Sequence, residues 1–286
     1  MATMPTLAQR VERLLGVSVV STSPVAGGDV CTTTKTRLSD GRTAVVKTRA
    51  HAPEGFFPTE AEGLGWLAEA GAPVPEVLAV DEDCLILAWV EPGRATPEAA
   101  ASLGRTLAAV HAVGAPGFGG PHDGFIGRLP MPNGSATDWP EFYATKRVLP
   151  YLKLAVDRQQ IAPTDAADVE LCVRRLTEVA GPAEPPARLH GDLWSGNVVF
   201  AREGAAHLVD PAAYGGHRET DLAMLSLFGL PQLPRLLEAY QEVSPLAEGW
   251  QDRIGLHQLF PLLVHACQFG SSYGARAGAA ARAFLG

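Results

Sequence analysis

Asp192 and Asn197 stand five positions apart in the stretch from Arg188 to Asp210, RLHGDLWSGNVVFAREGAAHLVD, and Asp210 closes it. Two carboxylates and an amide are side chains that hold Mg²⁺ through oxygen, and a carboxylate can take a proton from a hydroxyl. The apolar run VVF follows Asn197, a turn lies at 202–204, and a second run ends in Asp210. The stretch therefore reads as loop, strand, turn and strand with an acid at its exit. Taken singly, each residue has a plainer reading. An Asp in a glycine-rich loop commonly forms a turn or caps a helix, and Asn197 alone would be a turn residue.

A loop Asp, an Asn five residues on and an acid after a hairpin is the order in which protein kinases place a catalytic base and two metal ligands. HGDLWSGN stands here for HRDxxxxN, and DPA for DFG. Such a site also needs a lysine on a strand to clamp the α and β phosphates of ATP. Lysine occurs only at 35, 47, 146 and 153, and Lys47 ends the β-rich run Ala44-Val45-Val46-Lys47. The competing reading of Lys47 is a solvated lysine on an edge strand. Gly27 and Gly28, in the preceding turn, would let the backbone approach phosphate oxygens. Glu60 and Glu62 fall in the first turns of a helix expected at 58–70, and one of them should pair with Lys47. Acids in a first helical turn also complement the helix dipole, so both roles can hold at once.

The elements that must position these groups follow from the pattern. Apolar residues 7, 11, 14 and 15 predict a short amphipathic helix over 5–15, ending at Gly16. Residues 17–49 predict a three-stranded meander, with Asp40-Gly41 as the hairpin signal between its last two strands. The run APVPEVLAVDEDCLILAWVEPG adds two strands and then breaks at Pro92-Gly93 as a hinge would. An adenine ring would be read there by backbone groups of Ala88, Trp89 and Val90. From Pro97 the period becomes helical. Residues 114–138 are irregular, 138–159 helical with Pro150 as a kink, 163–180 a further helix, and 219–229 and much of 231–286 helical. The expected fold is α+β and two-lobed. Residues 1–90 form a small antiparallel β lobe with one helix that binds ATP. Residues 91–286 form a larger, mainly helical lobe that carries catalysis and the acceptor.

Composition narrows the setting. A formal net charge of −8 argues against nucleic acid as a partner. Cys31, Cys84, Cys172 and Cys267 are far apart with no CxxC, so zinc is not expected and free thiols are. The amphipathic start is not a secretory signal, and no apolar run reaches membrane-spanning length. The expectation is a cytoplasmic monomer or weak dimer.

LHGDLWSGNV at 189–198, DPAAYGGHRETDLAM at 210–224 and HQLFPLLVHACQFGSSY at 257–273 resemble the fructosamine kinase, or ketosamine-3-kinase, family. EAEGL at 60–64 and IGRLPMPN at 126–133 are similar to it as well. The resemblance implies a protein-kinase-like fold and ATP- and Mg²⁺-dependent phosphorylation of the sugar 3-hydroxyl of ketosamines, the products of sugars attaching to amines, free or on a protein. It makes Asp192 the base, Asn197 and Asp210 the metal ligands, Lys47 the phosphate clamp and Glu60 its partner. Trp194, Tyr214 and His217 become candidates for the acceptor site, with Trp194 equally readable as a core anchor. Arg218 and Glu219 are as readily members of structural ion pairs. Two departures stand out: the family often has Gln where Met131 or Pro132 stands, and some members carry Cys in the glycine turn where this chain has Asp29, with Cys31 two places on.

Three other readings compete. His190-Gly191-Asp192 is also the H-x-D of an iron oxygenase, with His257 or His265 as third ligand, but that chemistry expects a β-barrel scaffold. A non-catalytic nucleotide-binding scaffold would have lost one of Lys47, Asp192, Asn197 and Asp210, and all four are present. The closest rival is the same transfer to another acceptor, such as an aminoglycoside, choline or homoserine.

Overall fold

A computed structural model describes residues 6–26 and 30–286. Gly27, Gly28 and Asp29 lie outside the described residues, and the glycine-turn expectation with them.

Helix α1 (Leu7–Leu15) starts at a Thr6–Gln9 capping box and stops at Gly16 in the left-handed region. Strands β1 (Val19–Pro24), β2 (Thr32–Leu38) and β3 (Thr43–Thr48) form the meander, with Gly41 at φ 90° in its second turn. Helix α2 (Phe56–Glu69) and strands β4 (Val77–Asp81) and β5 (Cys84–Ala88) follow. The five strands make one antiparallel sheet in the order β1-β2-β3-β5-β4. Alternation on β5 is explicit: Cys84 and Ile86 pack with Val11 of α1, whereas Leu85 and Leu87 pack with Phe56, Phe57 and Leu64 of α2. The sheet thus carries a helix on each face, where a lobe with one helix was expected. Because β3 is interior, Lys47 is no edge lysine; it is 6% exposed.

The remainder is mainly helical. Helix α3 (Pro97–Val113) leads into the hairpin β6 (Gly124–Ile126) and β7 (Leu129–Met131), then α4 (Trp139–Phe142). Instead of a kink at Pro150, the backbone widens into a π-helical segment, Tyr143–Val148, before α5 (Leu149–Asp157). Pro150 has no N–H to donate and its ring crowds the carbonyl four residues back, so the loosened turns precede it. The expected helix over 163–180 divides at Arg175 into α6 (Pro163–Arg174) and α7 (Leu176–Val179). Then come β8 (Ala187–Leu189), a 3₁₀ turn at Ser195–Asn197, β9 (Val198–Phe200), β10 (Ala206–Leu208) and β11 (Tyr214–Gly216). Helices α8 (Glu219–Phe228), α9 (Leu233–Val243), α10 (Trp250–Phe269) and α11 (Ser271–Arg282) complete the chain.

Pro261 sits inside α10. One turn earlier the Tyr143 hydroxyl enters the helix, donating to Leu256 O (2.7 Å) and accepting from Phe260 N–H (3.2 Å). A long buried helix with an interior proline is thereby stitched to the π-helical segment. No helix among the described residues is long and apolar enough to cross a membrane.

Candidate active site

The HGD loop is built by close packing of backbone. Gly191 has φ 81°, and a Cβ there would lie 2.0 Å from Ala212 O, so only glycine fits. β8 pairs with β11 and β9 with β10. Between them, Ala212 N–H donates to His190 O (3.0 Å) and Val209 N–H to Asn197 O (3.0 Å). The segment holding Asp192 and Asn197 is thus laced to the segment holding Asp210.

Asp221, in the first turn of α8, anchors the loop from below. Its carboxylate accepts from His190 N–H (2.8 Å) and Gly191 N–H (3.0 Å) and meets His111 Nε2 at 3.2 Å. Burial would raise Asp221, but the hydrogen bond and charge of His111, with His190 and Gly191, outweigh it and hold the carboxyl below its ordinary range. Nothing in the local pattern around ETDL marks Asp221, because its partners come from residues 111 and 190–191.

His190 is a brace. Its Nε2–H donates to Val209 O (2.9 Å), and its Nδ1 accepts from Asp192 N–H (3.3 Å). Both ring nitrogens are committed, so the iron-ligand reading of H-x-D is overturned: no lone pair is left for a metal.

The expected charged groups converge. Lys47 Nζ donates to Glu60 Oε1 and, at 3.0 Å, to Asp210 Oδ1. Glu62 lies elsewhere, bonded to exposed His122. Asn197 Nδ2 donates to Asp192 O (2.8 Å), Asp192 Oδ2 (3.2 Å) and, at 3.4 Å, Asp210 O. Asp210 holds φ 56°, a left-handed conformation sparsely used outside glycine. Burial pushes Asp192 up to about 7, with the Asp210 charge adding to the shift and the Asn197 hydrogen bond opposing it. Burial alone would lower Lys47, but the carboxylates of Asp210 and Glu60 keep it above its ordinary value and therefore charged. Cys31 lines the same cavity, its thiol pushed up to about 11 by burial.

These groups line a cavity of about 480 Å³. Its apolar lining includes Val25, Val45, Leu87, Val90, Val199 and Val209, with Ala88 and Trp89. There Ala88 N–H donates to Glu76 O and Trp89 N–H to Thr43 O, while Val90 N–H takes no backbone partner among the described residues. Trp89 is held by its Nε1–H to Glu91 (2.7 Å) and by Lys35 over its ring. The rest of the lining is largely aromatic and neutral, including Phe56, Phe125, Met131, Asn133, Trp194, His265, Gln268 and half-exposed Phe269. Among the described residues, the charged side chains lining the cavity are Lys47, Glu60, Asp192 and Asp210.

The donor set fits a divalent cation. Asn197 directs its N–H groups at Asp192 and Asp210, which leaves its carbonyl oxygen as the amide's ligand atom beside the Asp210 carboxylate. The cavity fits a nucleotide as well, with an apolar slot for a ring next to a buried cation for phosphates.

Two expectations are corrected. Tyr214 and His217 are each 3% exposed and neither lines the cavity. The Tyr214 ring lies against Gly191 and under the guanidinium of Arg147, 3.8 Å from its centroid. The strand β11 turns that face inward. His217 packs between Trp139 and His257. Trp194 does line the cavity, edge-on to Phe228, and Gly196 leaves room for its ring. Arg218 forks onto Glu184 (2.6 and 2.8 Å), and Glu219 takes the fork of Arg253 (3.0 and 2.6 Å), so both are ion-pair residues. His217, Glu219 and His257 could approach one cation, but Arg253 already occupies both oxygens of Glu219 and neutralises it. Asn133 and Arg147 were not marked individually, and His265 was marked only as an iron ligand. They reach the site through α10 and the π-helical segment, far from the catalytic stretch in sequence.

Comparison with known proteins agrees with this geometry. The profile of the fructosamine kinase family matches residues 3–285. A Thermus thermophilus protein described as a ketoamine kinase is 42% identical over 252 residues, covering 87% of this chain and 88% of that one. The crystal structure of a Thermobifida fusca protein described as a fructosamine-3-kinase superposes with a TM-score of 0.93 at 48% identity, over 98% of each chain. The choline kinase LicA of Streptococcus pneumoniae shares the fold at 16% identity, with a TM-score of 0.67 over 98% of this chain and 97% of that one.

Proposed function

The chain belongs to the fructosamine kinase family, and from that premise we propose that it transfers the γ-phosphoryl group of ATP to the 3-hydroxyl of a ketosamine sugar. The observation that carries the choice of acceptor is the cavity lining outside the charged cluster. That lining is aromatic and neutral polar, and among the described residues every carboxylate lining the cavity belongs to the cluster around Lys47. A polycationic aminoglycoside would be expected to meet a broad acidic cleft. A neutral sugar on a single amine suits an aromatic wall with a few hydrogen-bonding groups.

Phosphoryl transfer depends on positioning and on neutralising charge. Ala88, Trp89 and Val90 would face the base, with Val90 N–H as a donor to it. Lys47, oriented by Glu60, would hold the α and β phosphates. Asn197 and Asp210 would hold Mg²⁺, which supplies neutralisation of the phosphate oxygens. Asp192 would accept the hydrogen bond of the attacking hydroxyl and take its proton; burial has already raised its proton affinity. Trp194 would form a wall of the sugar site. The setting that fits is a cytoplasmic monomer or weak dimer that acts on ketosamines, free or on proteins, in the reversal of glycation.

Side-by-side kcat/KM values for ribulose-lysine and kanamycin under saturating Mg²⁺-ATP test the acceptor. The ketosamine is expected to be preferred, and a higher value for kanamycin overturns it.

A further inference from the structure

Among the described residues Arg147 is the largest fully buried side chain, and it meets no carboxylate of theirs within salt-bridge reach. Its guanidinium lies over the rings of Tyr214 and Phe142, 3.8 and 4.6 Å from their centroids. Nη1 donates to Pro132 O (2.6 Å) and Lys146 O (3.1 Å), and Nη2 to Asn133 Oδ1 (2.7 Å); Nε has no partner. Burying a cation against carbonyls and π faces is costly. Two of the acceptors it reaches belong to residues 132–133, which follow β7 where the cavity wall is made. Arg147 itself stands in the π-helical segment, a departure from α-helical geometry that recurs at functional sites.

Asn133 is held on every side. Its N–H donates to Asp123 Oδ1 (2.8 Å), its carbonyl accepts from Gly120 N–H (2.9 Å), and its Nδ2 donates to His122 O (3.2 Å). With Oδ1 taken by a cation, the amide cannot flip, and Nδ2 keeps a second hydrogen. That nitrogen flanks the open side of Gly124, where an added Cβ would meet Thr59 Cγ2 at 3.3 Å, Asn133 Nδ2 at 3.6 Å and Met131 Cε at 3.8 Å. All four residues line the cavity.

We propose that Asn133 donates a hydrogen bond to an oxygen of the acceptor sugar, and that Arg147 is the positioning residue that orients it. The inference rests on the proposed kinase reading of this cavity and adds a specificity determinant to it. A donor fixed at this wall selects acceptors with an oxygen there and gives nothing to an acceptor presenting an ammonium group.

The test uses the full chain and whichever acceptor the wild type phosphorylates best, with KM measured separately for acceptor and ATP. Asn133→Asp keeps the shape and the bond from Arg147 but removes the donor. It is expected to raise acceptor KM by about tenfold, the scale of one buried hydrogen bond, and to leave ATP KM within about twofold. Arg147→Lys retains charge without the fork. It is expected to raise acceptor KM similarly in the wild type and by less than about twofold in an Asn133→Ala background, because its effect runs through the amide. An unchanged acceptor KM in Asn133→Asp overturns the recognition role. An Arg147→Lys effect of equal size in both backgrounds overturns the positioning role. Failure of the underlying reading appears separately, as absence of ketosamine turnover by the wild type.

Discussion

Asp192 and Glu219 are buried carboxylates from one continuous segment of chain, yet they titrate in opposite directions. Burial pushes Asp192 up to about 7. Burial acts on Glu219 in the same sense, but the close approach of His257 and the hydrogen bonds of Arg253 overcome it and bring the carboxyl down to about 2. The difference lies in the partners. Glu219 has a guanidinium across both oxygens. Asp192 has one amide N–H and faces the negative charge of Asp210, while Lys47 is shared between Asp210 and Glu60. One cluster is neutralised within the protein and can only be structural. The other is short of positive charge, which is the deficit that a divalent cation and a transferred proton would meet. Abundance of charge does not distinguish a site from a scaffold; saturation of charge does.

The comparison breaks most visibly in activity. Asp192→Asn keeps the shape of the loop and removes the base, so kcat is expected to fall by about 10²–10⁴ with nucleotide affinity little changed. Retention of more than roughly a tenth of wild-type kcat, far above that range, would mean that Asp192 is not the base. Asp210→Ala should abolish turnover and remove the Mg²⁺ dependence of nucleotide binding, measured by titration with and without the metal. A metal dependence equal to that of the wild type would count against Asp210 as a ligand.

The structural cluster breaks in stability. Glu219→Ala leaves the Arg253 guanidinium buried without its carboxylate. Removing one partner of such a pair costs about 3–5 kcal/mol, so chemical denaturation should show a large loss. The folded fraction should still turn over substrate with a KM close to wild type, since Glu219 lies away from the cavity. Asp192→Asn should show the reverse: activity lost with no loss of stability. If Glu219→Ala instead lost activity at full stability, the two clusters would have to exchange roles.

What was legible in the sequence was what is local. The meander, its Asp-Gly turn and the helical period after residue 97 depend on neighbours two to four positions apart, and they appear where expected. Asp192, Asn197 and Asp210 were readable because short turns connect them, and Lys47, 163 residues from Asp210, because it is a lysine in an apolar strand. Tyr214 and His217 have side chains suited to a sugar site, but β11 pairs with β8 with Tyr214 buried under Arg147, and His217, just beyond β11, packs against Trp139. Asp221, Arg147, Asn133 and His265 acquire their roles from partners that are distant in sequence or through helix packing, which no local pattern announces. Pro150 was legible as a disturbance, but its form, a π-helical segment upstream of the ring, is set by the packing of Tyr143 and Arg147.

The smallest effect is a pair of opposed pH slopes in stability, measured by urea unfolding in chelator. Glu219 has an ordinary value of 4.5 and a folded value of about 2. Between these the unfolded chain binds more protons, so the contribution of Glu219 is complete above pH 4.5 and is lost as pH falls toward 2. Asp192 has an ordinary value of 3.8 and a folded value of about 7. Between these the folded chain binds more protons, so its contribution is complete below pH 3.8 and is lost as pH rises through 7. Each group can tilt stability by at most about 1.4 kcal/mol per pH unit. Glu219→Gln should therefore flatten the acid limb below pH 4.5 and leave the decline toward pH 7 in place. Asp192→Asn should flatten that decline and leave the acid limb. Should both variants keep the wild-type profile, the opposed titrations do not exist, and the contrast between a saturated and an unsaturated cluster loses its physical basis.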